Sequence, residues 1–357
     1  MLTIHNPLHH LHQGREEMFR GRLVPCHETA QRLDHVLAEL QRRQLGPLRT
    51  PADDGAGLDA ALARIHAQRY LNFIERAWDE WVALDPSNAE RDALPSVWPA
   101  PGMRFDVMPD NFAARMGLFS FDAGTPLTAG SWTAARAGAA CALTAAREVS
   151  AGTVRSAFAL SRPPGHHAGA DFFGGYCFLN NSALAAQALR DGGAARVAVL
   201  DVDYHHGNGT QSIFYERSDV MTVSIHGDPR TEYPFFLGHA DERGSGDGAG
   251  FNLNLPLPRG TDFAHWRAAL HLGLAAIESF GADALVVALG VDTFEGDPIS
   301  GFTLRSADYL QVGADIAAAG LPTVFVFEGG YAVAEVGINT VNVLEGFGPA
   351  PGRSQAA

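Results

Sequence analysis

The 357-residue chain contains no lysine, and all 26 of its basic side chains are arginines. Because aspartate and glutamate together number 40, the formal net charge is −14. This charge argues against general binding to nucleic acid or to an anionic membrane surface, since both carry the same sign. It would suit a cationic small molecule as the ligand.

Cysteine is also scarce, with Cys26, Cys141 and Cys177 as the three thiols. Their odd number and wide spacing do not form a disulfide framework, which predicts reduced thiols in a cytoplasmic protein. The chain has no run of about 18 apolar residues, so no transmembrane helix is expected. The N-terminus lacks the basic stretch and apolar core that are typical of a signal peptide.

From residue 131 onward, apolar segments with the composition of strands alternate with helical segments. Strands are predicted at 154–161, 196–203, 220–227, 284–292 and 323–331, and helices at 131–149, 180–194, 263–281 and 306–319. Strands that are apolar throughout and separated by helices indicate a parallel sheet covered on both faces. We therefore predict an α/β fold with three layers, α/β/α, around a central, mostly parallel sheet.

The N-terminal third is less regular. Helices are predicted at 30–43 and 58–84, whereas residues 85–130 are rich in Pro, Gly and Asp. A stretch of this length inside a compact protein is usually functional or disordered. We predict that 85–130 is a lid or a subunit-contact loop, within a single catalytic domain that spans 1–357.

Polar side chains follow the predicted strands at the points where the strands end. In a parallel sheet, ligands bind beyond the carboxyl ends of the strands. The side chains at these ends are His166, His167, Asp201, Asp203, His205, His226, Asp292, Glu328 and Tyr331. Five strand ends with such side chains predict one active site at this edge of the sheet.

Three of these side chains have the chemistry of a metal site. Asp203 and His205 are two residues apart, so both point the same way if the chain is extended. Asp292 could supply a third ligand from a neighbouring strand. Two carboxylates and one imidazole leave coordination positions open, which is the catalytic rather than the structural pattern. The ligand types leave Zn²⁺, Fe²⁺, Mn²⁺ and Co²⁺ open.

Other side chains at this edge suit acid–base chemistry. His166 and His167 fit a base and an acid beside a water that a divalent cation activates. Tyr331 follows two glycines, which permit a close approach of the backbone. Its hydroxyl could hydrogen-bond a developing oxyanion.

Five segments, in order along the chain, resemble the histone deacetylase and acetylpolyamine amidohydrolase family, which has the arginase–deacetylase fold. The segments are RPPGHHAG, DVDYHHGNGTQ, SIHGDP, LGVDTFEGDPISGF and EGGYAV. The resemblance extends from about residue 25 to residue 346 and is strongest toward the bacterial acetylpolyamine amidohydrolases.

The resemblance implies a role for each residue at the strand ends. It implies zinc on Asp203, His205 and Asp292. It also implies a catalytic set made of the tandem histidine His166 with Asp201, the tandem histidine His167 with Asn208, and Tyr331 as the donor that polarises the carbonyl.

Potassium sites are implied as well. The site near the zinc would use the backbone carbonyls of Asp201, Asp203, His205 and Ile225 with the side chains of Asp201 and Ser224. A second monovalent site would use backbone carbonyls near Phe214, Arg217 and Val220.

The resemblance further implies a substrate tunnel lined by Gly175 and Tyr176, with Tyr233 or a nearby phenylalanine opposite. The segment 85–130 would narrow this tunnel and contact a second subunit, which predicts a homodimer or a higher homo-oligomer. Polyamine-selective relatives carry glutamates in that segment, whereas this chain has no glutamate between positions 91 and 148. The candidates to replace those glutamates are Asp106, Asp110 and Asp122.

The predicted function is removal of acetyl, or another short acyl group, from acetylpolyamines or similar small amines by metal-activated water. Alternatives are a hydrolase of neutral or xenobiotic small amides, an acetyl-lysine deacetylase, and a non-catalytic sensor of an acetylated ligand. The long segment 85–130 disfavours protein substrates, and the full ligand and acid–base set disfavours a sensor. An arginase-like site with two manganese ions is disfavoured, because the ligands of only one metal are evident.

Overall fold

Residues 1–52 and 55–348 are described by the structure, which is a computed structural model. The predicted domain 1–357 therefore includes positions 53–54 and 349–357, which lie outside the described residues. The strands are β1 (Leu2–His5), β2 (Glu16–Phe19), β3 (Arg22–Pro25), β4 (Leu48–Arg49), β5 (Ser156–Leu160), β6 (Val197–Asp201), β7 (Val220–Gly227), β8 (Asn252–Leu257), β9 (Ala284–Leu289) and β10 (Thr323–Phe327). The helices are α1 (Gln31–Arg42), α2 (Gly55–Leu62), α3 (Gln68–Leu84), α4 (Phe112–Leu118), α5 (Ser131–Ser150), α6 (Asn181–Asp191), α7 (Asn208–Phe214), α8 (Phe263–Phe280), α9 (Asp308–Ala317) and α10 (Val333–Phe347).

Eight strands form one sheet in the order β4-β1-β5-β10-β9-β6-β7-β8, and its strand pairs are parallel. At its centre, Val286 of β9 lies opposite Val199 of β6 and Val324 of β10. β2 and β3 form a separate antiparallel hairpin. The predicted three-layer fold with a mostly parallel sheet is confirmed.

Successive residues of each strand point to opposite sides of the sheet, and the side chains on both sides are buried. In β10, Val324 and Val326 belong to one apolar core, and Phe325 and Phe327 belong to the other. The first core also contains side chains of α2, α3, α5 and α6, and the second contains side chains of α1, α8, α9 and α10. This double burial explains why the strands are apolar throughout.

The prediction of one helix over 58–84 is wrong, since α2 and α3 are separate and the chain is not continuously helical at 63–67. His66 provides the reason. Its buried ring donates from Nδ1 to the Gly169 carbonyl at 2.8 Å and accepts the Asn180 N–H at Nε2 at 3.0 Å. The residues between the two helices are thus hydrogen-bonded to the segment that follows β5.

The segment 85–130 is not a loop throughout, because it contains α4 and residues of a β-bridge. Phe112 and Met116 of α4 are buried in the first core, and Ala93 pairs with Leu127 in an antiparallel bridge. The segment is therefore held at both ends. Between these ends it exposes a run of large apolar side chains, namely Val97, Trp98, Met103, Phe105, Val107 and Met108.

The three cysteines, Cys26, Cys141 and Cys177, are free thiols. Burial raises the pKa of the Cys26 thiol to about 12, and burial also raises the pKa of Cys177. Both thiols are therefore neutral near physiological pH. None of the helices in the described ranges has the length and apolar character needed to cross a bilayer.

Candidate active site

The carboxyl ends of β5, β6, β9 and β10 meet at one edge of the sheet, as the parallel pairing requires. The chain beyond each of these ends carries one or more of the predicted side chains. Those side chains are at most 8% exposed, and they are His166, His167, Asp201, Asp203, His205, Asp292 and Tyr331. The structure thus places these seven side chains near the carboxyl ends of four adjacent strands.

Asp203, His205 and Asp292 bring potential ligand atoms within 4.8 Å of one another. His205 Nδ1 lies 3.0 Å from Asp292 Oδ2 and 3.4 Å from Asp203 Oδ1. The Tyr204 N–H donates to Asp292 Oδ1 at 2.7 Å, and the Gly329 N–H donates to Asp203 Oδ2 at 2.8 Å. Backbone donors therefore fix the orientation of both carboxylates.

This donor set fits a divalent cation. Burial, followed by the charge of Asp203, raises the pKa of Asp292 to about 7. A cation between the two carboxylates would remove that repulsion. A Cβ at Gly329 would lie 2.5 Å from Asp203 Oδ2 and 2.6 Å from Asp292 Oδ2, so only glycine leaves the space beside both carboxylates free.

The two adjacent histidines have different partners. His166 Nδ1 lies 2.9 Å from Asp201 Oδ2, and His167 Nδ1 lies 2.6 Å from Asn208 Oδ1. Burial acts to lower both pKa values, but the charges of Asp201 and Asp203 and the hydrogen bond to Asp201 together raise the pKa of His166 well above its usual value. Burial and the His166 charge lower the pKa of His167 well below its usual value. The geometry thus favours a charged His166 beside a neutral His167.

Tyr331 faces these groups from the segment after β10. Its ring lies 4.7 Å from the Arg32 guanidinium carbon and 5.6 Å, edge-on, from the Tyr176 ring. Burial raises the pKa of Tyr331 well above its usual value, so the hydroxyl keeps its proton. Tyr331 can therefore act as a hydrogen-bond donor to a group in the adjoining cavity.

A cavity of about 550 Å³ adjoins His167, His205, Asn208 and Tyr331. The predicted tunnel residues and several aromatic side chains are on its lining, including Gly175, Tyr176, Tyr233, Phe121, Phe172, Phe235 and Phe236. A Cβ at Gly175 would lie 2.2 Å from the His167 ring, so glycine lets the wall pass directly against this histidine. An apolar chain with a polar group at its end fits such a cavity.

Of the three predicted substrate aspartates, Asp122 alone lies on the lining of this cavity, within the part of the chain that the structure describes. Its Oδ2 accepts the Tyr233 hydroxyl at 2.6 Å and the Gly175 N–H at 2.6 Å. Asp122 therefore holds two parts of the wall together. Asp106 and Asp110 are exposed outside the cavity, and Asp106 pairs with a neighbouring arginine.

Glu17 is an acidic residue of the cavity that the sequence analysis missed. It lies in β2, is 1% exposed and lies on the cavity lining. The Tyr176 hydroxyl donates to its Oε1 at 2.9 Å, and His27 Nδ1 lies 2.9 Å from the same oxygen. The hairpin does not belong to the main sheet, so reasoning from strand ends could not find this residue. The signal available in the sequence was Gly21, which lies between the short segments EEMF and RLVP as the turn glycine of a hairpin does.

Two polar residues at the strand ends have structural partners instead. His226 donates from Nε2 to the Gly238 carbonyl at 2.8 Å, and burial lowers its pKa to about 4. Glu328 accepts the Gly165 N–H at 2.6 Å and the Ser182 hydroxyl at 2.8 Å. Neither residue is on the lining of the cavity described above.

The residues implied for potassium lie in two places. Asp201 and Ser224 are register partners on β6 and β7. Phe214 ends α7, and its carbonyl accepts the Arg217 N–H at 2.9 Å just before Val220 begins β7. Cation binding at either place remains a prediction. The residues of the first place are Asp201, Asp203, His205, Ser224 and Ile225.

Known proteins resemble this chain over nearly its whole length. The profile of the histone deacetylase domain matches residues 26–347. Acetylpolyamine amidohydrolase 2 of Pseudomonas aeruginosa is 53% identical over 347 residues, which cover 97% of this chain and 98% of that protein. The acetylpolyamine amidohydrolase of Mycoplana ramosa is 46% identical over 346 residues, covering 97% and 99%. A crystal structure of the acetylpolyamine aminohydrolase from Burkholderia pseudomallei matches with a TM-score of 0.90 at 39% identity, covering 97% of this chain and 98% of that one.

Proposed function

Because the chain belongs to the histone deacetylase family, we propose that it is an amidohydrolase that removes acetyl or other short acyl groups from small cationic amines, with acetylpolyamines as the leading substrates. One observation carries this proposal. Asp203 and Asp292 form a buried pair of carboxylates beside His205, and His205 lies with His167 and Tyr331 on the lining of one cavity with aromatic walls.

We assign the metal to Asp203, His205 and Asp292, with Zn²⁺ as the expected ion. When bound, a divalent cation supplies Lewis acidity, which polarises the substrate carbonyl and lowers the pKa of water. The backbone N–H groups of Tyr204 and Gly329, which donate to Asp292 and Asp203, hold these ligands in place before binding. Little reorganisation is then needed when the ion and the substrate enter.

His167 is the proposed general base and, later, the general acid. Because Asn208 Oδ1 accepts a hydrogen bond, His167 carries its proton on Nδ1 and leaves Nε2 as a free base. Its lowered pKa keeps it unprotonated before the reaction. It can therefore take a proton from the attacking water and deliver that proton to the leaving amine.

His166 and Tyr331 are proposed to stabilise the charge that develops on the carbonyl oxygen. His166 is held in its charged form by Asp201, so it contributes a positive charge at this end of the cavity. Tyr331 donates its hydroxyl proton as a hydrogen bond to the oxyanion, without losing it.

Glu17 supports a cationic substrate. It places a carboxylate on a cavity lining that is otherwise mainly apolar and aromatic. Aromatic faces such as that of Phe236 also attract cations. The net charge of −14 attracts cationic molecules toward the protein from a distance.

Replacing Glu17 by glutamine should reduce kcat/KM for acetylputrescine by about tenfold, the effect of one hydrogen bond to a charged group. The rate on the neutral amide N-butylacetamide should change little. Steady-state kinetics on both substrates, at low and high salt, measure this, and salt should shrink the wild-type preference for the cation. Asp106→Asn is the matched control, because Asp106 is exposed outside the cavity. An equal loss on both substrates would show that Glu17 only supports Tyr176.

Replacing Asn208 by aspartate should move the acidic limb of the pH profile of kcat/KM upward by about 1 unit or more, as expected for a charge in contact with a histidine. The new carboxylate stabilises the protonated form of His167, so its pKa rises and the free base is lost at a higher pH. The profile should be measured from pH 5 to 9 with metal content held constant. A limb that stays in place here, but moves in Asp201→Asn, would assign the base to His166.

A second candidate function is hydrolysis of neutral small amides. Two observations favour it, namely the aromatic cavity walls and the hydrogen bonds that Asp122 already accepts from Tyr233 and Gly175. Equal wild-type rates on acetylputrescine and N-butylacetamide would select this candidate.

We further propose a homodimer or a higher homo-oligomer in the cytoplasm, with potassium at the two backbone sites. The exposed apolar side chains of 97–108 support the self-association, because a second copy would remove them from water. The three free thiols support the location.

A further inference from the structure

Asp297 is a buried carboxylate, 9% exposed, that the chemistry above does not use. Its Oδ2 accepts the Tyr331 N–H at 2.7 Å and the Ala332 N–H at 3.3 Å. Its Oδ1 accepts the Ile299 N–H at 3.1 Å. Both oxygens are thus hydrogen-bonded to backbone, and among the described residues no arginine forms an ion pair with them.

The position of these bonds matters because two glycines precede Tyr331. Gly329 leaves space beside the carboxylates, and Gly330 has φ of +132°, a conformation that side-chain residues rarely adopt. Glycine restricts its own backbone little, so the chain needs other contacts to hold Tyr331 in one place. Arg32 supplies one contact, since its Nε donates to the Gly330 carbonyl at 2.6 Å. Asp297 supplies the contact on the other side, directly at the Tyr331 N–H.

The same carboxylate also reaches the wall of the cavity. Ile299, whose N–H it accepts, is on the cavity lining together with Tyr331. Hydrogen bonds to a charged acceptor are stronger than those between neutral groups. A single buried carboxylate is therefore hydrogen-bonded to the backbone of two residues of the cavity lining, Tyr331 and Ile299.

We propose that Asp297 is a positioning residue for Tyr331, which sets the distance between the Tyr331 hydroxyl and the reacting carbonyl. This inference rests on the proposed function, in which Tyr331 donates to the oxyanion. Asp297 itself does not touch the substrate. Its effect on the reaction passes through the backbone of residues 331–332.

Replacing Asp297 by alanine should lower kcat for acetylputrescine by about 10- to 100-fold, because a misplacement near 1 Å can cost up to about 10²-fold in rate. KM should change less than kcat, since the cavity that binds the substrate is kept. Asp297→Asn keeps the shape and one good acceptor, so its loss should be smaller. This conservative variant keeps the test valid if the alanine variant is poorly folded.

Substrates with different acyl groups distinguish a positioning role of Asp297 from a purely structural role. A trifluoroacetyl carbonyl is already strongly electrophilic, so it depends less on the Tyr331 hydrogen bond than an acetyl carbonyl does. The ratio of kcat/KM for trifluoroacetylputrescine over acetylputrescine should therefore rise in Tyr331→Phe. If Asp297 acts through Tyr331, the ratio should rise in both Asp297 variants as well. In the double variant Tyr331→Phe/Asp297→Asn, the second change should add little to the first.

Asp315→Ala is the matched control, because it removes a buried carboxylate that pairs with Arg267, and neither residue is on the lining of the cavity. It should leave the substrate ratio unchanged. An unchanged ratio in both Asp297 variants, or full additivity in the double variant, would overturn the proposal for Asp297. If the ratio still rises in Tyr331→Phe, the proposed function is unaffected by that result. Failure of the metal-loaded wild type to hydrolyse any acetylated amine would instead contradict the proposed function itself.

Discussion

Replacement of Asp292 by alanine should empty the metal site and reduce hydrolysis of acetylputrescine below detection. Three protein ligands are the number found in catalytic zinc sites, and this change leaves two. The fold should persist, because burial beside Asp203 already makes the ionised form of Asp292 unfavourable without a cation. Removing that carboxylate relieves the repulsion.

The variant should be compared with the wild type and with Asp315→Ala for metal content after dialysis, for thermal unfolding and for activity. Asp203→Ala should behave in the same way. Asp315→Ala should keep its metal and its activity, since Asp315 pairs with Arg267 and neither residue belongs to the ligand cluster or to the cavity lining. An Asp292→Ala protein that binds metal and retains full activity would show that the ligand set is wrong.

His167→Ala should lower kcat/KM by about 10²- to 10⁴-fold, the range for loss of a general acid–base group. His166→Ala should lose less and leave measurable turnover. The two rings are neighbours, with centroids 4.0 Å apart, but their partners differ in charge. The pKa of His166, which pairs with Asp201, is raised, which favours its charged form, whereas the pKa of His167, which pairs with Asn208, is lowered, which favours its neutral form.

Both alanine variants should be measured with metal content determined in the same samples, because His166 Nε2 also lies 3.8 Å from Asp203 Oδ1. At equal metal content, the difference between the two variants reports the separate roles of the two histidines rather than loss of the ion. A greater loss in His166→Ala would reverse the assignment, and equal losses would remove the proposed division of roles.

The centre of the fold was predictable because its strands are long apolar runs. The predicted strand at 220–227 matches β7, and those at 196–203 and 284–292 overrun β6 and β9 by only a few residues. In parallel sheets buried on both faces, composition alone indicates the strand. The polar residues at the ends of those two predictions belong to the site rather than to the sheet.

The edges of the sheet were not predicted. β4 has only two residues, and β8 reads NLNLPL, with polar residues and Pro256 in the pattern. A proline within such a run is tolerated at an edge strand but weakens the sequence signal. β1 and the hairpin of β2 and β3 are equally short, so their stability comes from packing that a local sequence window does not contain.

The residues of the site likewise divide into those that the sequence could predict and those that it could not. Side chains that directly follow a strand could be placed together from the sequence, because parallel topology fixes where strand ends meet. Glu17 comes from the hairpin, and Asp297 acts through the backbone of a distant segment. Their roles depend on contacts between residues far apart in the chain, which no spacing rule encodes. Asp106 and Asp110 were candidates because they are acidic residues of segment 85–130, but charge and segment do not determine position, and both lie outside the cavity.

The central claim is that Asp203, His205 and Asp292 hold a metal that makes this chain a hydrolase of small cationic acetylated amines. The most direct measurement loads the purified protein with Zn²⁺, Fe²⁺, Mn²⁺ or Co²⁺ in turn, determines the metal bound per chain, and follows hydrolysis of four substrates. These are acetylputrescine, acetylspermidine, N-butylacetamide and an acetyl-lysine peptide. We predict one metal per chain, activity that chelation removes and metal restores, and the highest kcat/KM on the two acetylpolyamines. Activity that survives complete removal of metal, or no activity on any acetylated amine with the site filled, would contradict the account.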